Sequence, residues 1–249
     1  MLHLRNIKLT VEYHGGNYCG FQIQEKAGLP TIQGVLEGKL SLLAKEKIRI
    51  IGAGRTDSGV HAKGQVVNFF SKWKIPIDRV VVALNSVLPK DIVVIKAEEV
   101  PEEFHARFSP KAKSYRYQIY NSNVPSAFQA DFAWFVPYSL DFAKMQQGAA
   151  FFLGTHDFAS FKSSGSAVKN NVREIHSLEL VQDGPLITIN IKGNGFLYNM
   201  VRIITGTLVE VGKGRISPSD VKTILEAKDR EKSGPTAPPQ GLFLIKVGY

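Results

Sequence analysis

The sequence holds a single cysteine, Cys19, in 249 residues. One thiol forms no internal disulfide and no cysteine-based zinc cluster, which agrees with a reducing compartment. No apolar run approaches the length needed to span a bilayer. The start, Met1-Leu2-His3-Leu4-Arg5-Asn6, alternates into a strand and lacks the apolar stretch of a signal peptide, so a soluble, cytoplasmic chain is expected. His61, His105, His156 and His176 are not spaced as metal ligands, and no H-x-x-x-H pair occurs, so no metal is expected. The absence of G-x-S-x-G speaks against a hydrolase built on that elbow. Low-complexity segments are missing too, apart from the short stretch Ser233-Gly234-Pro235-Thr236-Ala237-Pro238-Pro239, expected to be a fixed loop.

What the chain has is positive charge. There are 31 Lys and Arg against 22 Asp and Glu, a formal net charge of +9. Such a field draws polyanions, which makes nucleic acid the first candidate partner and an anionic membrane the weaker one. With 44% hydrophobic and 21% charged residues the composition is that of an ordinary globular protein, long enough for one large domain or two modest ones.

Hydrophobic periodicity supplies the architecture. Ile7, Leu9, Val11 and Tyr13 alternate with polar residues, as in a strand with one buried face. Gly15, Gly16 and Gly20 break it. Thr31 is placed to cap a helix whose apolar face is Ile32, Val35, Leu36, Leu40 and Leu43. Strands are expected at 48–51 and 66–70, a helix at 78–87 and a strand at 92–96. The order β-α-β-β-α-β is that of a ferredoxin-like unit. The second half repeats it, with a strand around Tyr115, a helix at 141–153, and strands near 174–181 and 187–192. A helix through Met200, Ile203, Ile204 and Leu208, a further helix begun by Ser217-Pro218-Ser219-Asp220, and a last strand at 242–247 follow. The fold class expected is α+β, two ferredoxin-like halves with sheets joined side by side around a central basic cleft. The division is placed between residues 1–105 and 106–249, in a stretch with two prolines.

One segment invites a chemical reading: Gly52-Ala53-Gly54-Arg55-Thr56-Asp57-Ser58-Gly59-Val60-His61-Ala62. It fails as a phosphate loop. Asp57 stands where the dinucleotide fingerprint needs its third glycine, and Walker's Gly-Lys-Ser/Thr is absent. A dinucleotide enzyme would rest on Gly52-x-Gly54 alone. Glycines around Arg55 and Asp57 suggest a tight loop that a ligand can approach closely, although a turn-forming aspartate is the commoner use of this pattern. Lys111, Lys113 and Arg116 surround Tyr115 and Tyr117, an arrangement of rings and cations suited to an exposed base, although a strand tyrosine is more often core. Arg202 lies opposite the apolar stripe of its helix, one turn after Tyr198, where an arginine is commonly just solvated; the alternative is a partner for the Asp57 carboxylate. Lys162, Lys169 and Arg173 around Ser163-Ser164-Gly165 read as either an RNA-facing or a solvated loop.

In combination these segments resemble the tRNA pseudouridine synthase A family, over nearly the whole chain. Tyr18-Cys19-Gly20-Phe21-Gln22-Ile23-Gln24 is similar to the family's first-loop motif, with Phe21 where tryptophan is more usual. Thr31-Ile32-Gln33-Gly34-Val35-Leu36-Glu37 resembles the helix that follows. The 54–62 stretch matches the active-site motif, with Ser58 in place of the commoner alanine. Phe104-His105-Ala106-Arg107-Phe108-Ser109 with Lys113-x-Tyr115-x-Tyr117, then His156-Asp157-Phe158, Met200-Val201-Arg202 and Ala237-Pro238-Pro239, resemble four more motifs in order. The resemblance implies an isomerase that turns uridine into pseudouridine without metal or organic cofactor. Its expected site is the anticodon stem-loop, about positions 38, 39 and 40 of the tRNA. It assigns Asp57 as the catalytic nucleophile, Tyr115 as the residue stacking on the base, and Arg202 as the partner of the aspartate. Arg55 would help flip the nucleotide. The family's members are homodimers. Attack on the sugar, attack on the ring and proton abstraction all stay open for Asp57. The competing reading is a non-catalytic RNA-binding module, since ferredoxin-like sheets bind RNA.

Overall fold

The computed structural model describes residues 4–24, 28–165, 168 and 170–249. In chain order its regular elements are β1 (Arg5–Tyr13), α1 (Ile32–Ala44), β2 (Ile51–Gly52), β3 (His61–Ser71), α2 (Ile77–Asn85), β4 (Ile92–Val100), β5 (Ala112–Asn121), β6 (Trp134–Val136), α3 (Phe142–Ala150), β7 (Gly154–Asp157), β8 (Val172–Asp183), β9 (Leu186–Gly193), α4 (Met200–Gly212), α5 (Asp220–Ala227) and β10 (Leu242–Gly248). They form two compact units. One comprises Met1–Lys111 with Leu244–Tyr249, the other Ala112–Phe243. The chain therefore does not divide at a single point: its last residues return to the first unit. The class is α+β, and the element order of each half is consistent with a ferredoxin-like description.

In the first unit the strands run β4-β1-β3-β10, with β2 also on β3. The alternation of β1 does what its sequence implies: Ile7, Leu9, Val11 and Tyr13 are all buried, and Leu9 faces Val67 while Ile7 faces Phe69 across the antiparallel ladder to β3. Ile32, Leu36 and Leu40 of α1 are fully buried. Thr31 caps that helix by accepting a hydrogen bond from the Gly34 amide at 3.2 Å, which satisfies one of the orphan donors of the first turn. Leu43, expected on the same face, is only half-buried.

A strand at 48–51 is not formed as expected; only Ile51 and Gly52 enter the ladder. The reason lies in α1. Ser41 Oγ takes the Ile48 amide at 2.9 Å, and the buried Glu37 carboxylate takes the Ile50 amide at 3.1 Å and pairs with Arg49 at 2.6 Å. Amides used by side chains are lost to a ladder.

The second unit has strand order β5-β9-β8-β7, with the three-residue β6 parallel to β5. Asp183-Gly184-Pro185 makes the β8–β9 turn as expected, Gly184 taking a φ of 55°. Asp141 caps α3 by accepting from the Lys144 amide at 3.0 Å. α5 begins at Ser217-Pro218-Ser219-Asp220, as its sequence signature implies. The Asp220 carboxylate accepts from the Ser217 amide at 3.2 Å, while Ser219 makes no side-chain cap. Nor does Tyr198 lie one helical turn before Arg202, because Asn199 at φ 60° separates it from α4. Among the described residues no helix is long and apolar enough to cross a membrane.

The Pro-rich stretch is fixed, as its composition suggested. Arg230 donates to Ser233 Oγ at 2.8 Å, to the Gly234 carbonyl at 3.0 Å and to Thr236 Oγ1 at 3.1 Å, while the Gly234 amide donates to Thr207 Oγ1 of α4 at 2.9 Å. The helix meets this stretch at Gly206, where a β-carbon would stand 1.8 Å from the Pro235 carbonyl oxygen. On an open helix face Gly→Ala stabilises by about 1 kcal/mol. Here the sign reverses, because backbone rather than a movable side chain blocks the methyl group. Gly206→Ala is expected to destabilise the protein by about 1–3 kcal/mol, read as a lower urea midpoint; a raised midpoint would show that the stretch is not fixed against α4.

Candidate active site

Asp57 lies in the connection between β2 and β3, and the loop that carries it is held from two sides within the first unit. Ala53 is still tied to β3, its amide donating to the Val66 carbonyl at 2.8 Å. Beyond it the chain leaves the sheet, and buried polar side chains take over. Thr56, 6% exposed, shares a 2.7 Å hydrogen bond with the Tyr13 hydroxyl at the end of β1. Gln65 of β3, fully buried, donates to the Gly54 carbonyl at 2.9 Å and reaches the Tyr13 oxygen at 3.4 Å. A buried polar cluster stabilises only when its members find partners, and once they do it fixes one arrangement. Burial pushes the Tyr13 hydroxyl up to about 12, and the hydrogen bonds from Thr56 and Gln65 oppose that rise.

The segment after β1 closes over the other side of the loop. The Phe21 amide donates to the Thr56 carbonyl at 3.0 Å, and Ser58 Oγ donates to the Tyr18 carbonyl at 3.2 Å. Two glycines allow the approach. Gly20, at φ 79°, has room for no β-carbon, which would fall 2.8 Å from the Thr56 oxygen; at Gly15 it would fall 2.0 Å from the Val60 oxygen. The Gly15 amide donates to Nδ1 of the buried His61 at 3.0 Å, and the His14 ring lies 4.6 Å from the His61 ring. Tyr18 is anchored in turn, its hydroxyl donating to Asp91 at 2.6 Å. The loop itself turns through the Val60 amide, which donates to the Asp57 carbonyl at 3.1 Å.

The outcome is a half-buried Asp57 on an immobilised backbone, with Arg55 exposed two residues before it. Sequence reasoning missed Tyr13, Thr56, Gln65 and His61. A usable signal was Gln65, an uncharged polar residue inside an apolar strand. His61 works as an anchor of the loop.

The second unit holds the other two candidates. Tyr115, Tyr117 and Ile119 share the buried face of β5, and Tyr115 is 9% exposed with its ring edge-on to Phe196 at 5.1 Å. The Tyr117 hydroxyl donates to the Pro238 carbonyl at 2.7 Å. Arg202 stands half-buried in the first turn of α4, its Nε donating to the Ala237 carbonyl at 2.7 Å and its Nη1 to Asn199 Oδ1 at 2.9 Å. The neighbouring carbonyls of residues 237 and 238 thus receive Arg202 and Tyr117, which relates the guanidinium to the face that carries Tyr115. Burial raises the Tyr117 hydroxyl well above its ordinary range, with the Arg202 charge acting against the rise. In the 162–173 loop, Lys162 Nζ donates to the Val168 carbonyl at 2.9 Å and Arg173 to the Val172 carbonyl at 2.6 Å; Lys169 lies outside the described residues.

A family model described as tRNA pseudouridine synthase matches residues 9–109 and 149–249. The tRNA pseudouridine synthase A of Acetivibrio thermocellus is 49% identical over 246 residues, 99% of this chain and 100% of that protein. The protein of the same name from Bacillus pumilus is 48% identical, covering 98% of each. The chain belongs to the tRNA pseudouridine synthase family. A remoter likeness, to a chain in the crystal structure of a Cbf5-Nop10-Gar1 complex, has 13% identity and a TM-score of 0.39, covers 82% of this chain and 45% of that one, and bears no weight. The stretches matched by the synthase family model contain Arg55, Asp57 and Arg202, while Tyr115 falls between them.

Tyrosines in each of the two units give the protein a pH signature. Tyr13, Tyr18, Tyr117 and Tyr249 all hold their protons beyond the ordinary value of 10.0, chiefly through burial. Above about pH 10 the unfolded chain has released protons that the folded chain keeps, so stability falls as pH rises. For Tyr13 the loss is complete only beyond its folded value of about 12. Urea midpoints measured from about pH 9 upward are expected to decline, and Tyr13→Phe to decline less steeply. An equal slope in the variant would mean that Tyr13 ionises as freely folded as unfolded.

Proposed function

We propose that this enzyme converts uridine to pseudouridine in the anticodon stem-loop of tRNA, with Asp57 as the nucleophile. The observation that carries the reading is a half-buried carboxylate on a loop fixed by Thr56, Phe21 and Gly20, in a chain that belongs to this family over its length. A binding module has no use for a rigidly presented carboxylate, which repels phosphate; an isomerase has one.

The reaction is balanced within the substrate. The bond from N1 to C1′ breaks, the uracil turns, and a bond from C5 to C1′ replaces it; C5 gives up a proton and N1 gains one. Product and substrate have the same composition, so no metal or organic cofactor is consumed. In the proposal Tyr115 stacks on the base. Arg202 pairs with the Asp57 carboxylate, keeping it ionised and oriented as the site dries. Arg55, exposed on the same loop as Asp57, helps hold the nucleotide out of its stack. The net charge of +9 supports an electrostatic attraction to tRNA that weakens with salt. The proposal extends to a cytoplasmic homodimer in which one tRNA meets both subunits.

Asp57→Asn and Asp57→Ala are expected to abolish pseudouridine formation on unmodified tRNA transcripts while tRNA affinity stays within about threefold. Carbodiimide labelling followed by reverse transcription reads both the extent and the position. Pseudouridine formed by Asp57→Ala would remove the assignment. Modification outside the anticodon stem-loop would remove the substrate site, and binding without any modification by the unaltered chain would make it a binding module.

A further inference from the structure

The turn at 104–109 is constructed in a way that an ordinary surface loop is not. Its foundation is buried and polar. Ala106 is fully buried; its amide donates to Asn68 Oδ1 at 2.9 Å and its carbonyl accepts from the Tyr249 hydroxyl at 3.0 Å. Asn68 donates to Asn6 at 2.8 Å, and Asn6 donates to the Phe104 and Pro101 carbonyls, each at 2.9 Å. Both asparagines are buried in the sheet. The turn is then closed on itself. The His105 carbonyl accepts from the Phe108 and Ser109 amides at 3.2 and 3.0 Å, and His105 Nδ1 accepts from the Arg107 amide at 3.2 Å.

What this foundation presents is an aromatic ledge. Phe108 is 75% exposed. Its ring lies 4.4 Å from that of His105 at an interplanar angle of 28°, and the Arg107 guanidinium lies 5.5 Å from the Phe108 centroid. A large apolar ring gains nothing from water, yet this one stands exposed on a turn whose backbone is held by buried hydrogen bonds. Rings beside a cation, fixed in advance, are what an unpaired nucleobase needs: a face to stack on and a charge for its phosphate, with little ordering cost on binding. Lys111 adds a second exposed cation beyond the turn, while Glu102 and Glu103 are exposed before it. Positive charge is therefore gathered at the Arg107 and Lys111 end of the turn.

We infer that His105, Arg107 and Phe108 form a stacking platform for an unpaired base of the RNA substrate, separate from the uridine that reacts. The inference rests on the reading of the chain as a tRNA-modifying enzyme. Its contribution is to substrate affinity, with no part in bond rearrangement.

Phe108→Ala tests it, since a residue so exposed is removed without touching the core. The dissociation constant for unmodified tRNA is expected to rise about tenfold or more, while the single-turnover rate at saturating tRNA stays within about twofold. Phe108→Trp should restore affinity, and its added fluorescence should be quenched on titration with tRNA. Unchanged affinity in Phe108→Ala overturns the inference. So does a change in molecular mass by light scattering, which would make a second copy of the chain the partner of this ledge. If the unaltered protein binds tRNA but forms no pseudouridine, the enzymatic reading fails while the affinity comparison still decides the platform.

Discussion

The interaction on which the proposed chemistry depends is the buried 2.7 Å hydrogen bond between Tyr13 and Thr56. β1 ends where the sheet can no longer supply ladder partners to the 53–60 loop, and Tyr13 supplies one from its side chain. Gln65 adds a second tie at the Gly54 carbonyl. Three polar groups withdrawn from water have few alternative partners, so displacing the loop leaves buried donors and acceptors unmade, at about 1–3 kcal/mol each. That penalty makes the loop behave as part of the sheet although it contains no regular structure. Asp57 is therefore carried by β1 and β3 as much as by its own neighbours.

The same logic recurs elsewhere. Where the two units need an irregular segment held still, a buried polar side chain from a regular element holds it. Glu37 of α1 fixes the approach to β2, Asn6 and Asn68 fix the turn at 104–109, and Thr207 of α4 fixes the Pro-rich stretch that receives Arg202. Glycine permits the contact where backbone meets backbone, at Gly15, Gly20 and Gly206. Positions with such a role tolerate little substitution for reasons of space.

This division explains what could be read in the sequence. β1 and α1 were legible because alternation and helical spacing report burial directly, and Thr31 because capping is local. The placement of Asp57 between β2 and β3 was legible from its glycines and flanking strands. The strand at 48–51 was misjudged because Ser41 and Glu37 compete for its amides, an interaction between residues seven and thirteen apart. β6 and β7, of three and four residues, are too short for periodicity to appear. Tyr13 looked like core, which it is; that its hydroxyl is the fixed point of the loop depends on a contact 43 positions away. The family resemblance named the candidate residues but not the groups that hold them.

The most direct test of this account is Thr56→Val, which keeps the volume and removes the hydroxyl, assayed by single-turnover pseudouridine formation beside tRNA affinity. A displacement of about 1 Å at a reacting group can cost on the order of a hundredfold in rate. The account predicts a rate lowered by about tenfold or more with affinity within about threefold, because the loop carries Asp57 while, of the residues proposed to meet tRNA, only Arg55 shares it. A variant that folds, binds and reacts like the unaltered enzyme would contradict it.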